Sequence, residues 1–283
     1  MQTPAATKNF EIDVRDMECP RPDGSIMMIR VARPKGVGPF PAIVDIHGGG
    51  WVMGDRKQNA LIDDYLASHG IVVAAPEFRM PPAGAYPVSI SDVHLATRWL
   101  KANAAALGSR MDLVGGLGTS SGGHQLLLSM LRPDDPRFSA LVTPQTQSFD
   151  ATLDYVIAAW PVADPLRRLR MAQEKQIKNL LDAHAAYWPN EAAMAEGNPQ
   201  LLLERGEHGK LPPLLVIQGT NDDNLPRDMA SNFTAAYRKA GGNATLHEFE
   251  GQPHTFVTRN PDSDASKQAL KLTAEFILAQ AKK

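Results

Sequence analysis

A chain of 283 residues, 43% of them apolar, is long enough for one large α/β domain or two small ones. Its 29 Lys and Arg stand against 31 Asp and Glu, a formal net charge of −2, and no long basic run points to nucleic acid or to an anionic membrane surface. The single cysteine, Cys19, excludes an intramolecular disulfide and reads as structural; Met1 to Lys8 carries no signal-peptide pattern, and no apolar stretch nears the ~20 residues of a membrane span, so a cytoplasmic protein is expected.

Phe10 to Arg15 alternates apolar and polar residues, which predicts a half-buried strand. Cys19 to Gly24 is a turn by composition, Ser25 to Arg33 a second strand antiparallel to the first, and Pro34 to Pro41 a connection. The short apolar strand Ala42 to Ile46 runs into His47-Gly48-Gly49-Gly50-Trp51. From there strands and helices alternate: a helix over 59–69, a strand over 71–75, a helix over 88–105 and a strand over 111–117. After Gly118-Thr119-Ser120-Ser121-Gly122-Gly123 comes a buried helix ending at Leu131, then a strand over 153–160. A helical pattern runs from Pro161 to about Tyr187, a strand spans 214–218, a helix 227–240, a strand 245–249 and a last helix 265–282. Short apolar strands alternating with helices predict a mostly parallel sheet covered on both faces. No linker or repeat divides the chain, so a single domain over 1–283 is expected, with 164–209 long enough to form a helical cap over the sheet edge.

A glycine-flanked serine between a strand and a helix has the pattern of a nucleophile elbow, and Ser120 is the candidate nucleophile. A hydroxyl needs a base to take its proton and an acid to hold that base in the correct tautomer. Of eight histidines, His254 follows the last strand in a turn-forming loop and is the candidate base. His247 lies inside a strand, His69, His94, His124 and His184 lie on helices, and His208 lies in a polar loop; each reads as structural, and no pair has metal-site spacing. Asp222 is the candidate acid, with Asp223 and Asp164 as competitors. The order Ser, Asp, His is that of α/β-hydrolases. Backbone N–H groups of Gly48, Gly49 and Ser121, with Gly50 as a further candidate, would form the oxyanion hole. Trp51, Trp160 and Trp188 are candidate pocket walls, and Tyr187 and Met194 add apolar surface to the cap. Arg167, Arg168 and Arg170 read as a solvated helix face or as a site for an acidic substrate.

The segments His47 to Trp51, Glu77 to Pro82 with Tyr86-Pro87, Gly118 to Gly123, Gly219 to Asp222 and Pro253 to Phe256 resemble the hormone-sensitive-lipase-like carboxylesterases of the α/β-hydrolase superfamily, with their feruloyl-esterase-like and arylformamidase-like relatives. The resemblance covers residue 40 onward. It implies an eight-stranded α/β-hydrolase fold and a serine hydrolase with no cofactor and no metal, cleaving small or medium carboxylic esters. It also implies a homodimer built on the last strand and helix. An amide hydrolase and a non-catalytic ligand-binding receptor are the alternatives. The sequence departs from the group's pattern at Thr119 and Ser121, where aspartate and alanine are usual, and at Phe78-Arg79, where tyrosine and arginine are usual. Its short N-terminal region leaves any lid to the segment after Trp160.

Overall fold

Runs such as Ala42-Ile43-Val44 and Val72-Val73-Ala74 are fully buried on both sides, as strands must be when helices cover each face of a sheet. The computed structural model describes residues 9–282, and the signal-peptide expectation over Met1 to Lys8 lies outside them. Eight strands make one sheet: β1 (Ile12–Pro20), β2 (Ile26–Pro34), β3 (Phe40–Ile46), β4 (Val72–Pro76), β5 (Ser109–Thr119), β6 (Val156–Ala159), β7 (Leu214–Gly219) and β8 (Ala244–Phe249). Their order is β1-β2-β4-β3-β5-β6-β7-β8; β1–β2 and β2–β4 are antiparallel and every other pairing is parallel. This is the mostly parallel, eight-stranded sheet that the sequence predicts.

Helices α1 (Ala60–Ser68), α2 (Val88–Asn103) and α3 (Ser121–Leu131) alternate with the first parallel strands. Between β6 and β7 come α4 (Pro165–Glu174), α5 (Lys178–Tyr187), α6 (Glu191–Glu196) and α7 (Pro199–Arg205). The chain closes with α8 (Met229–Lys239), the short α9 (Phe256–Arg259) and α10 (Asp264–Gln280). α1 packs with α10, and α2 packs with α3, on opposite faces of β5: Leu117 looks toward Ile62 and Leu270, whereas a side chain at Gly116 would strike Leu126. Among the described residues no helix is long and apolar enough to cross a membrane.

Three boundaries differ from expectation. β1 continues through Cys19 and Pro20, because both keep register with Met27 and Ile26 of β2, and the turn begins only at Arg21. The single helical run to Tyr187 is broken at Gln176, whose φ of 52° no continuing helix adopts, so α4 and α5 can fold against each other. The strand expected over 153–160 shrinks to four residues, since only 156–159 pair with both β5 and β7.

Candidate active site

β3 and β5 are neighbours, and the chain leaves β3 for β4 on one side but leaves β5 for β6 on the other. Such a reversal leaves a crevice at the carboxyl ends of the two strands, where loops diverge. Ile46 is in register with Gly118, so the glycine loop after β3 and the serine turn after β5 emerge side by side. Gly219 of β7 is in register with Phe249 of β8, which brings the loops carrying Asp222 and His254 together as well.

Ser120 sits at φ 53°, ψ −118°, a backbone region that costs a non-glycine residue about 1–3 kcal/mol. Its N–H donates to Ala159 O at 3.0 Å and its carbonyl accepts from Val162 and His124, which holds the turn in place. Gly122 makes the turn sterically possible: a Cβ there would lie 2.1 Å from Ile46 O and 2.3 Å from His47 O. α3 can therefore start directly against the end of β3.

From Ser120 a row of hydrogen bonds leads inward. Its Oγ–H donates to His254 Nε2 at 2.9 Å, and His254 Nδ1–H donates to Asp222 Oδ2 at 2.7 Å. An ionised carboxylate can only accept, so Asp222 fixes this tautomer. Burial would raise the Asp222 carboxyl, but the hydrogen bond and charge of His254, with donors from Gln218 Nε2 and Asn224 N–H, hold it below the ordinary value. Asp223 is exposed, and Asp164 is spent elsewhere, capping α4 through Arg167 N–H and accepting from Asn198. Of the three acids, the structure brings only Asp222 to His254.

Across from Ser120 stands the glycine loop. A Cβ at Gly48 would sit 3.1 Å from Ser120 Cβ, and one at Gly49 (φ 109°) 1.9 Å from Met53 O. His47 Nδ1–H donates to Gly48 O at 2.8 Å and its ring stacks on Phe78 with centroids 4.3 Å apart. Trp51 N–H donates to Ser121 Oγ at 3.0 Å, tying the loop to the first residue of α3. The N–H groups of Gly48, Gly49 and Ser121 meet no protein acceptor among the described residues.

Thr119, where the sequence departs from the related group's aspartate, leads to polar residues that no local pattern marks. Thr119 Oγ1 accepts from Asn59 Nδ2 at 3.2 Å, and the same Nδ2 reaches both oxygens of Asp45 at 3.0 Å. Asp45 faces the fully buried Asp63, whose Oδ1 has no donor while Oδ2 accepts from Arg30 at 3.3 Å. Burial raises both carboxyls above the usual range, and the charge of Asp45 raises Asp63 further. No local motif marks this pair; one member comes from β3 and the other from α1, and they meet only in the tertiary fold.

A cavity of about 270 Å³ opens beside Ser120, with Gly48, Gly49, Thr119, Trp160 and His254 on its wall. Trp51 and Trp188 are not on that wall, which corrects their reading as pocket residues. Trp51, at φ 69°, turns back beneath the loop, donates its indole N–H to His124 Nδ1 at 3.1 Å and stacks on Tyr187. Trp188 packs edge-on against Trp51 and His124 in the same cluster. His124 is held neutral there: burial pulls it down to about 4, and its Nε2–H donates to Gly197 O. The three arginines also separate. Arg167 pairs with Asp228 at the surface and Arg170 is exposed, but Arg168 is 1% exposed and lines the cavity, which corrects its reading as part of a solvated face.

The model of the BD-FAE family matches residues 31–237, more than half of the chain. Among curated proteins, a probable carboxylic ester hydrolase, LipM of Mycobacterium tuberculosis, is 28% identical over 224 residues, 77% of this chain and 50% of its own. Versiconal hemiacetal acetate esterase of Dothistroma septosporum is 26% identical over 264 residues, 89% of this chain and 78% of its own. The chain thus spans about half the length of LipM. Among solved structures, an esterase from Pyrobaculum calidifontis superposes with a TM-score of 0.77 at 22% identity, over 95% of this chain and 86% of its own. The esterase Est2 of Thermogutta terrifontis, with propionate bound, gives 0.72 at 25% identity over 99% and 97%. The sheet, its crossing helices and the family match agree: the chain has the α/β-hydrolase fold and belongs to the BD-FAE family.

Proposed function

We propose that the protein is a serine hydrolase of small or medium carboxylic esters, working through an acyl-enzyme on Ser120. The observation that carries this reading is the continuous row Ser120 Oγ, His254 Nε2, His254 Nδ1, Asp222 Oδ2 at the mouth of a cavity faced by the glycine loop. Ser120 Oγ attacks the ester carbonyl while its proton passes to His254 Nε2, and the carbonyl oxygen becomes an oxyanion. Donor N–H groups of Gly48, Gly49 and Ser121 receive that charge, each worth about 3 kcal/mol in the transition state. Collapse breaks the ester C–O bond, and the leaving alkoxide takes the proton from His254. Water then attacks the acyl-enzyme with His254 as base, releasing the acid and restoring Ser120. Trp160 forms a wall for the substrate. The chain acts as one domain, with 164–209 as a helical cap, in a reducing compartment such as the cytoplasm.

Relatives named for carboxylic ester and acetate ester hydrolysis favour esters over amides. Ser120→Ala tests the mechanism: turnover of p-nitrophenyl acetate and labelling by a fluorophosphonate are expected to vanish while thermal unfolding stays cooperative. Undiminished turnover in that variant would overturn the mechanism. In the unmodified protein, saturable ligand binding with no labelling would favour a receptor. A panel of short acyl esters, feruloyl esters, N-formyl aryl amines and aminoacyl amides separates ester from amide preference.

A further inference from the structure

The cavity beside Ser120 holds a charge that none of the hydrolytic steps uses. Asp164 and Pro165 start α4 just past the end of β6, and this start places Arg168 one turn into the helix, on its buried side. Its Nε donates to Asn224 O at 3.2 Å and its Nη2 to Asn224 Oδ1 at 2.6 Å. The guanidinium lies 5.4 Å over the Trp51 ring, a cation–π contact that holds it flat. Nη1, fully buried, has no acceptor. No carboxylate pairs with Arg168 among the described residues. Asp222 acts on it only through space, its oxygens being taken by His254, Gln218, Asn224 and Leu225. Burial lowers the guanidinium to about 10, which still leaves it charged at neutral pH.

A buried charge with one donor edge empty is unfavourable, and such groups persist where a ligand completes them. The surroundings favour an anion. No Asp or Glu lines the cavity; besides His254, its wall carries Arg259, exposed and in no ion pair among the described residues. The guanidinium fork matches the bidentate geometry of a carboxylate or a phosphate, and of the two a carboxylate is the common substituent of small esters.

We propose that the site takes esters that themselves carry a carboxylate, such as half-esters of dicarboxylic acids, and that Arg168 on the cavity wall binds this carboxylate. The proposal rests on the ester-hydrolase reading above. The alternative is that Arg168 acts only on Asp222 by its field, which would affect charged and neutral substrates alike.

Two matched pairs of esters test it, one charged in the acyl half and one in the leaving group. The first compares p-nitrophenyl hydrogen glutarate with p-nitrophenyl methyl glutarate, and the second 3-carboxyphenyl butyrate with its methyl ester, spontaneous rates being subtracted. A charge-assisted hydrogen bond corresponds to a preference of about tenfold or more in kcat/KM for the anion in at least one pair. Arg168→Met should erase that preference, and Arg168→Lys, with charge but no fork, should keep part of it. Glutarate alone should slow labelling of Ser120 by a neutral fluorophosphonate in the unmodified protein, a readout that needs no variant to fold. The proposal is overturned by equal rates within both pairs, by a preference that survives Arg168→Met, or by equal loss on charged and neutral esters in that variant. No turnover of any of the four esters, together with no labelling of Ser120, would instead overturn the ester-hydrolase reading beneath it.

Discussion

Ser120 and its partners carry their arrangement in single contacts, and single substitutions separate them. Asp222 is the one acid in hydrogen bond with His254, whereas Asp223 points to solvent. Asp222→Asn should let the imidazole adopt the wrong tautomer and lower kcat by about 10⁴-fold, the scale seen when such an acid becomes an amide. Asp223→Asn should change kcat by less than about threefold, the effect of losing one screened surface charge. Steady-state kinetics on one chromogenic ester decides between them; equal losses would remove Asp222 from its role. The two hydroxyls beside the serine differ in kind. Ser121 Oγ takes the N–H of Trp51 and so holds the glycine loop, while Thr119 Oγ1 faces away, toward Asn59. Ser121→Ala leaves a buried N–H without an acceptor, at a cost of about 1–3 kcal/mol. It should lower kcat as well as the denaturation midpoint, because the freed loop carries two of the proposed oxyanion donors.

At the scale of elements, the site depends on α3 starting within contact of the end of β3. Gly122 is the point of contact, and the atoms a Cβ would meet there are backbone oxygens of Ile46 and His47, which cannot rotate aside. Gly122→Ala should therefore destabilise the fold by more than about 3 kcal/mol, the upper end of the cost of overpacking. Urea unfolding measures this; a loss below about 1 kcal/mol would mean the two elements have room to part. α4 shows the opposite use of an end. Asp164, a competitor for the acid by sequence, caps α4, Asn198 caps α7, and the two bond to each other, so the two helices are fastened at their starts beside β6.

Across the whole molecule the most consequential polar feature lies beneath the site. Asp45 and Asp63 lie buried together in the core; Arg30 donates to Asp63 and also serves the half-exposed Asp64. In the unfolded chain both aspartates ionise near pH 4, but in the fold burial pushes Asp45 up to about 7 and Asp63 well above its usual value. The folded state then binds more protons, so the pair's contribution to stability is complete below pH 4 and is lost as pH rises through about 7. Asp63→Asn keeps a neutral donor for Asp45 and removes one of the coupled ionisations. Its melting temperature should fall less than that of the unmodified protein between pH 5 and pH 8; parallel curves would show that the pair does not govern the slope. Another buried carboxylate, on α2, is met by two arginines. Asp92 is fully buried and accepts from both Arg21 and Arg79, so the arginine after Phe78 serves β2's approach turn and α2 while Phe78 itself stacks on His47.

Much of this molecule is legible in the order of its residues, because periodicity and punctuation are local. Apolar runs of strand length, glycines around Ser120 and after His47, and the order Ser, Asp, His together point to the sheet, its crossing helices and the loops that meet at one edge. Each is a property of a short segment, or of segments that parallel pairing must bring to the same end of a sheet. Which side a long residue faces, and what it finds there, is not local. Trp51 and Arg168 exchange their expected places, the tryptophan into an aromatic cluster and the arginine onto the cavity wall. The reason is that a positive φ turns one away from the cavity and a capped helix start turns the other toward it. The meeting of Asp45 and Asp63 is equally invisible in sequence, since only the folded chain buries these two carboxyls, one from β3 and one from α1, together.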